Sequence, residues 1–129
     1  MNITEFSWFQ LYSTTGLGPK SLLVIFKTIQ QSNLPVEKIF DMTRDDFSHR
    51  FPKLKRLSFD ELQNCNADKT DREFQELKDE GVQVIYPTCD NYPDKLLEFT
   101  ETHSVSPVLF CKGKAGLFNS EGVAIVGSR

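Results

Sequence analysis

Two glycines and a lysine stand between two stretches of helical pattern, in residues 15–20 (TGLGPK). Gly16 and Gly18 allow the backbone to reverse and to come close to a ligand, because glycine has no side chain. The free N–H groups at the start of the next helix, its dipole and Lys20 would together attract a phosphate group. A plain turn between two helices also needs glycine, so both interpretations stay open.

A second candidate lies at the end of the sequence, where the apolar run of residues 122–126 is followed by Gly127, Ser128 and Arg129. An apolar strand that ends in glycine is typical of a parallel strand leading to the ligand-binding edge of a Rossmann-like sheet. A full dinucleotide fingerprint is not present, because Arg129 stands where the next glycine belongs. A guanidinium at this edge suits a phosphate group.

The histidines, cysteines and paired carboxylates favour structural roles. His49 and His103 are far apart in polar surroundings, which is typical of surface histidines. Three cysteines without C-x-x-C spacing indicate free, buried or half-buried thiols in a reducing cytosol. Adjacent acidic residues at 45–46 and 79–80 sit at a helix start and a helix end, where caps and solvated faces are usual. We therefore expect no metal site and no acid–base pair.

The charge balance limits the strength of any DNA binding by this chain. Its 15 Lys and Arg stand against 18 Asp and Glu, a net charge of −3. Residues 1–60 have eight basic and six acidic residues, a balance of +2, and residues 61–129 have seven and twelve, a balance of −5. Because DNA affinity depends largely on neutralised phosphates, we expect feeble binding by the chain alone. The basic cluster Lys53, Lys55 and Arg56 is a weaker candidate contact, since short charged runs usually just face solvent.

Helical patterns occupy the first two thirds of the chain. Apolar residues between positions 6 and 12 predict a first helix with one broad apolar face, and Pro19 suits the first turn of a second. Thr43 and Asp46 have the spacing of a capping box. A further helix is expected over about residues 68–80, with Gly81 as its left-handed C-terminal cap.

The pattern changes near residue 80. Apolar β-type runs predict three strands, at residues 82–86, 107–110 and 122–126. A helix of one or two turns is expected after Pro93, through Phe99, followed by a loop. The N-terminus lacks the features of a signal peptide and no apolar stretch reaches membrane-spanning length, so we expect a cytoplasmic protein with no membrane association.

Three segments, in order, resemble the DprA/Smf family of bacterial DNA-processing proteins. They are Y-P-x-x-L at residues 92–96, P-V-L-F-x-x-G at 107–113 and V-A-I-V-G-S-R at 123–129. The hairpin at residues 15–20 agrees with the family's N-terminal SAM-like module. The resemblance is weak over residues 1–80 and specific over 81–129, although the polar segment 100–106 is longer than the family's link.

The resemblance implies an α+β fold in two parts. Residues 1–80 would form a helical SAM-like or helix-hairpin-helix-like module, and residues 81–129 would be the first strands of an extended, Rossmann-like α/β domain. The family's large domain continues well beyond the G-S-R motif, so this second part is expected to be incomplete. The dimer interface that the resemblance implies for the full-length protein would lie in the missing portion.

The resemblance also implies a function without catalysis or cofactors. Such proteins bind incoming single-stranded DNA and hand it to a RecA-type recombinase during natural transformation, the uptake of DNA by competent cells. The family's DNA-binding motif falls on Gly127, Ser128 and Arg129, with Arg129 holding a backbone phosphate. The hairpin residues Gly16, Gly18 and Lys20 complete the predicted nucleic-acid-binding set.

Two other functions are compatible with parts of the sequence. A Rossmann-type nucleotide hydrolase or phosphoribohydrolase can also begin with a turn like G-S-R. The other is a stand-alone helix-hairpin-helix adaptor, in which the predicted strands would be only a tail. The second alternative fits less well, because the three predicted strands are too apolar for a solvated tail.

Overall fold

The computed structural model describes residues 3–54, 56–65, 67–89, 92–103 and 105–112. Within these ranges the helices are α1 (Ile3–Ser13), α2 (Pro19–Ser32), the 3-10 helix η1 (Val36–Asp41), α3 (Arg44–Arg50), α4 (Arg56–Gln63), α5 (Ala67–Asp79) and α6 (Asp94–His103). The strands are β1 (Val82–Ile85) and β2 (Leu109–Lys112). The mixed α and β composition is therefore confirmed, whereas the SAM-like and Rossmann-like assignments stay predictions.

Helix α1 lies at the centre of the fold. Its positions 5, 7, 8, 9 and 11 are all buried. At 3.6 residues per turn these positions lie within one arc of about 200° around the helix, which agrees with the predicted single broad apolar face, although that face also includes Glu5 and Ser7. The elements η1, α5 and β1 all pack against α1. Trp8 is 1% exposed and stacks on Tyr86, the residue after β1, with ring centroids 6.2 Å apart.

Local signals in the sequence fix several element ends. Pro19 lies in the first turn of α2, as predicted, and Asn33 ends the helix in a left-handed conformation (φ 52°). The Thr43 hydroxyl accepts a hydrogen bond from the N–H of Asp46 at 3.2 Å, which confirms the Thr43 half of the capping box predicted for α3. Gly81 follows α5 with φ at +78°, the left-handed conformation that favours glycine.

Strands β1 and β2 form a two-stranded antiparallel sheet in which Val84 pairs with Phe110 and Ile85 with Leu109. Because side chains alternate across a strand, these two pairs face opposite sides of the sheet. Val84 and Phe110 pack on the main core with the helices, and Ile85 and Leu109 belong to a smaller cluster with Tyr92. The main core therefore draws on residues from both sides of position 80.

The segment between the two strands differs from its prediction. Helix α6 continues through His103 and has ten residues, whereas a helix of one or two turns followed by a loop was expected. Strand β2 begins at Leu109, two residues after the predicted start. The third predicted strand, at residues 122–126, lies outside the described residues. No helix within the described ranges is long and apolar enough to cross a bilayer.

Candidate nucleic-acid interface

The turn between α1 and α2 is built around Gly16 and Leu17. Gly16 has a φ of +90°, so this position needs glycine for its backbone conformation. The N–H of Leu17 donates to the carbonyl of Thr14 at 3.3 Å, and the Leu17 side chain is buried in the main core. The turn is therefore anchored from inside, while Thr15 and Gly16 themselves are exposed.

The N-terminus of α2 is open. Gly18 is the N-cap residue, with φ −83° and ψ −178°, and it offers no side chain to cap the helix. Leu22 donates the first intrahelical hydrogen bond, to the Gly18 carbonyl at 3.0 Å. Helix geometry thus leaves the N–H groups of Lys20 and Ser21 without an intrahelical acceptor. The first turn has no acidic residue, and Lys20 is exposed.

The two glycines of this turn differ in their surroundings. Among the residues that the structure describes, a methyl group added at Gly18 would meet no atom within 4 Å, whereas one added at Gly16 would lie 3.6 Å from Cγ of Glu61. The Glu61 side chain brings a negative charge to the Gly16 side of the turn. An anion would consequently approach from the side of Gly18 and Lys20, where the free N–H groups lie.

A groove of about 400 Å³ along α2 brings three basic residues together from separate parts of the chain. Lys27 comes from α2, Arg50 from the end of α3, and Lys53 from the turn that follows. The remaining described lining residues are apolar or uncharged polar, among them Thr28, Gln31 and Ser32. No acidic residue is among the described residues that line it.

Lys20 and Lys27 are seven residues apart, which places them on the same side of α2, about 10 Å apart along its axis. We call Lys20, Lys27, Arg50 and Lys53 the basic face. Sequence reasoning selected Lys20 and noted Lys53, but it missed Lys27 and Arg50. Lys27 could have been found from its spacing of seven residues from Lys20. Arg50 could not, because it reaches the groove only through the packing of α3.

The other predicted contacts are not placed by the structure. Gly127, Ser128, Arg129 and Lys55 lie outside the described residues, and nothing relates the C-terminal turn to the basic face. Lys53 is exposed, as expected for a basic residue that faces solvent.

Two further predictions concern chemistry beyond DNA binding. Cys65, Cys89 and Cys111 are half-buried, as predicted, and none of these three thiols is part of a disulfide. Among the described residues no group of three His, Cys, Asp or Glu side chains is arranged to hold a metal ion.

Comparisons with known proteins do not assign this chain to a family. It matches no protein-family model, no curated protein and no solved structure. The functional assignment therefore depends on the basic face and on the sequence motifs.

Proposed function

We propose that this chain is part of a DprA/Smf-type protein that binds single-stranded DNA and delivers it to a RecA-type recombinase in natural transformation. The proposal has two components of different origin. DNA binding is supported by the geometry of α2 and by the motif residues, and recombinase loading is supported by the family resemblance alone. No catalytic step and no cofactor belong to this function.

The observation that carries DNA binding is the basic face together with the open N-terminus of α2. Backbone phosphates bind to free N–H groups at helix starts and to Lys and Arg side chains. Lys20 and the N–H groups of Lys20 and Ser21 form one such contact point, and the groove with Lys27, Arg50 and Lys53 forms another. A strand of DNA that follows α2 would meet both, without any contact that reads sequence.

The C-terminal motif would supply a second part of the site. In this proposal the Arg129 guanidinium holds a backbone phosphate, and the small residues Gly127 and Ser128 let backbone N–H groups come close to it. The intact DNA-binding site would combine these groups with others from the Rossmann-like domain. The basic face would then be an auxiliary contact, consistent with the net charge of −3.

A fluorescence-anisotropy titration with labelled oligo-dT tests the proposal. We expect binding that is measurable at low ionic strength and weaker than low-micromolar at physiological salt. The double variant Lys20→Glu with Lys27→Glu should bind more weakly. The slope of the logarithm of its association constant against the logarithm of the salt concentration should be shallower by about 0.7 for each lost phosphate contact.

The matched control reverses two exposed lysines that are not part of the basic face, Lys38→Glu with Lys112→Glu. It changes the net charge equally, so a general electrostatic effect would weaken both double variants alike. Equal losses in the two variants would contradict a DNA contact on the basic face. Hydrolysis of nucleotides by the protein would instead favour the phosphoribohydrolase alternative.

A further inference from the structure

A second groove, of about 430 Å³, lies on a different part of the molecule, between α1, α5 and β2. Its floor and walls are aromatic and aliphatic: Phe9, Tyr12, Leu77 and Phe110. Tyr12 and Phe110 meet edge to face with ring centroids 4.9 Å apart, so the wall they form is held by packing. The groove is thus a preformed apolar surface.

The rim of this groove is acidic. Glu73 and Glu76 on α5 and Glu80 directly after it all line the opening. Glu73 is 3.9 Å from Lys69, an exposed pair of the kind that neutralises little charge. Among the described residues no ion pair involves Glu76 or Glu80, and the nearby Lys78 pairs with the buried Glu5.

The position of these carboxylates on α5 is unfavourable for the helix itself. Glu76, Asp79 and Glu80 lie in or just after the last turn, where the negative end of the helix dipole repels acidic side chains. Lys78 is the basic residue of that turn, and its side chain is directed to Glu5. A cationic partner at the rim would relieve this repulsion.

We propose that the groove binds a basic segment of a partner protein that inserts an aliphatic or aromatic side chain between Tyr12 and Leu77. Its Lys or Arg residues would pair with Glu76 and Glu80 at the rim. Charge complementarity decides the class of partner, since an anionic nucleic acid would be repelled from this surface. The groove is separate from the basic face, and this inference does not depend on the proposed DNA binding.

The experiment uses the full chain and a fluorescein-labelled 12-residue peptide, three repeats of Lys-Leu-Leu-Lys, in an anisotropy titration. Two matched peptides separate the contributions. Replacing every Leu by Ala keeps the charge and removes the anchor, and replacing every Lys by Glu keeps the anchor and reverses the charge. We expect the Lys/Leu peptide to bind at least about fivefold more tightly than either of the others, because each of the others lacks either the apolar contacts in the groove or the ion pairs at its rim.

Protein variants locate the binding surface. The double variant Glu76→Lys with Glu80→Lys should weaken binding of the Lys/Leu peptide at least about fivefold while favouring the C-terminal turn of α5. The control Asp71→Lys with Glu98→Lys changes two exposed acidic residues elsewhere and should bind like the unmodified chain. Backbone amide shifts of Leu77 and Phe110 on titration with the peptide should confirm the site.

Three results would overturn the proposal. The first is equal binding of the Lys/Leu and Lys/Ala peptides, which would show nonspecific attraction. The second is an equal loss of binding in the two double variants. The third is dimerisation of the chain at rising concentration, seen by sedimentation velocity, together with NMR shifts of the Leu77 and Phe110 amides over the same concentrations. A second copy of the chain would then occupy the groove.

Discussion

The carboxylate of Glu5 accepts a hydrogen bond from the backbone N–H of Val84, 79 residues later in the chain, at 3.1 Å. The same oxygen pairs with the ammonium group of Lys78. Glu5 is only 7% exposed. One acidic side chain in the first turn of α1 therefore connects this helix to α5 and to the start of the sheet.

Replacing Glu5 by Ala should destabilise the fold by about 1–3 kcal/mol, because the buried N–H of Val84 would lose its acceptor. Glu5→Gln keeps an acceptor oxygen and should cost less. Urea denaturation followed by circular dichroism measures both. The exposed Glu98→Ala serves as the control, and a Glu5→Ala variant as stable as that control would show that the contact adds nothing.

Tyr92 predicts a loss of stability in alkaline solution. Its hydroxyl donates to the carbonyl of Pro107 at 2.6 Å, and burial, with a smaller effect of Cys89, raises its pKa well above the ordinary value of 10.0. Since the folded pKa is the higher one, this contribution is complete below pH 10 and is lost as the pH rises above it.

The free energy of unfolding should accordingly fall as the pH rises from about 10 towards the raised pKa of Tyr92, and less steeply in Tyr92→Phe. That variant also loses the Pro107 hydrogen bond, so it should be less stable by about 1 kcal/mol at neutral pH. Urea denaturation across this pH range provides the measurement. A slope identical to that of the unmodified chain would mean that Tyr92 is not responsible.

Features of the fold that depend on residues close together in the sequence were predicted correctly. The caps at Thr43 and Gly81, the proline at the start of α2 and the core position of Trp8 all follow from neighbouring residues. The length of α6 was missed because its last turn is polar, and a polar helix cannot be told from a loop by apolar periodicity.

Long-range contacts were the part that sequence alone did not provide. Nothing near Glu5 indicates that its carboxylate is buried, because Val84 and Lys78 reach it only after the chain has folded. The same holds for Arg50, which joins Lys27 through the packing of α3. Of the basic face, the sequence therefore indicates Lys20 and, through its spacing, Lys27, but not the position of Arg50.

The backbone conformation of Gly16 gives a prediction for the hairpin. Gly16→Ala places a side chain at φ +90° and should destabilise the fold by about 1–2 kcal/mol. Thr15→Ala, at an exposed neighbouring position with an ordinary φ, should change stability by less than about 0.5 kcal/mol. Thermal unfolding of both variants makes the comparison, and equal melting temperatures would contradict a conformational requirement for glycine.

Gly18 offers a change that separates stability from DNA binding. Gly18→Ser adds a hydroxyl at the N-cap, where there is room for it, and should stabilise α2 by about 0.3 kcal/mol. The hydroxyl would also occupy a free N–H group of the first turn, so oligo-dT affinity should fall roughly threefold. Unchanged affinity in a stabilised variant would show that these N–H groups do not contact DNA.

An NMR titration of the ¹⁵N-labelled chain with oligo-dT at low ionic strength tests the DNA contact most directly. We predict that the largest amide shifts fall on residues 18–21, on Lys27 and on residues 50–53, and that they disappear in the Lys20→Glu with Lys27→Glu variant. Shifts centred on other surfaces, or shifts that persist unchanged in this variant, would contradict binding of single-stranded DNA by the basic face.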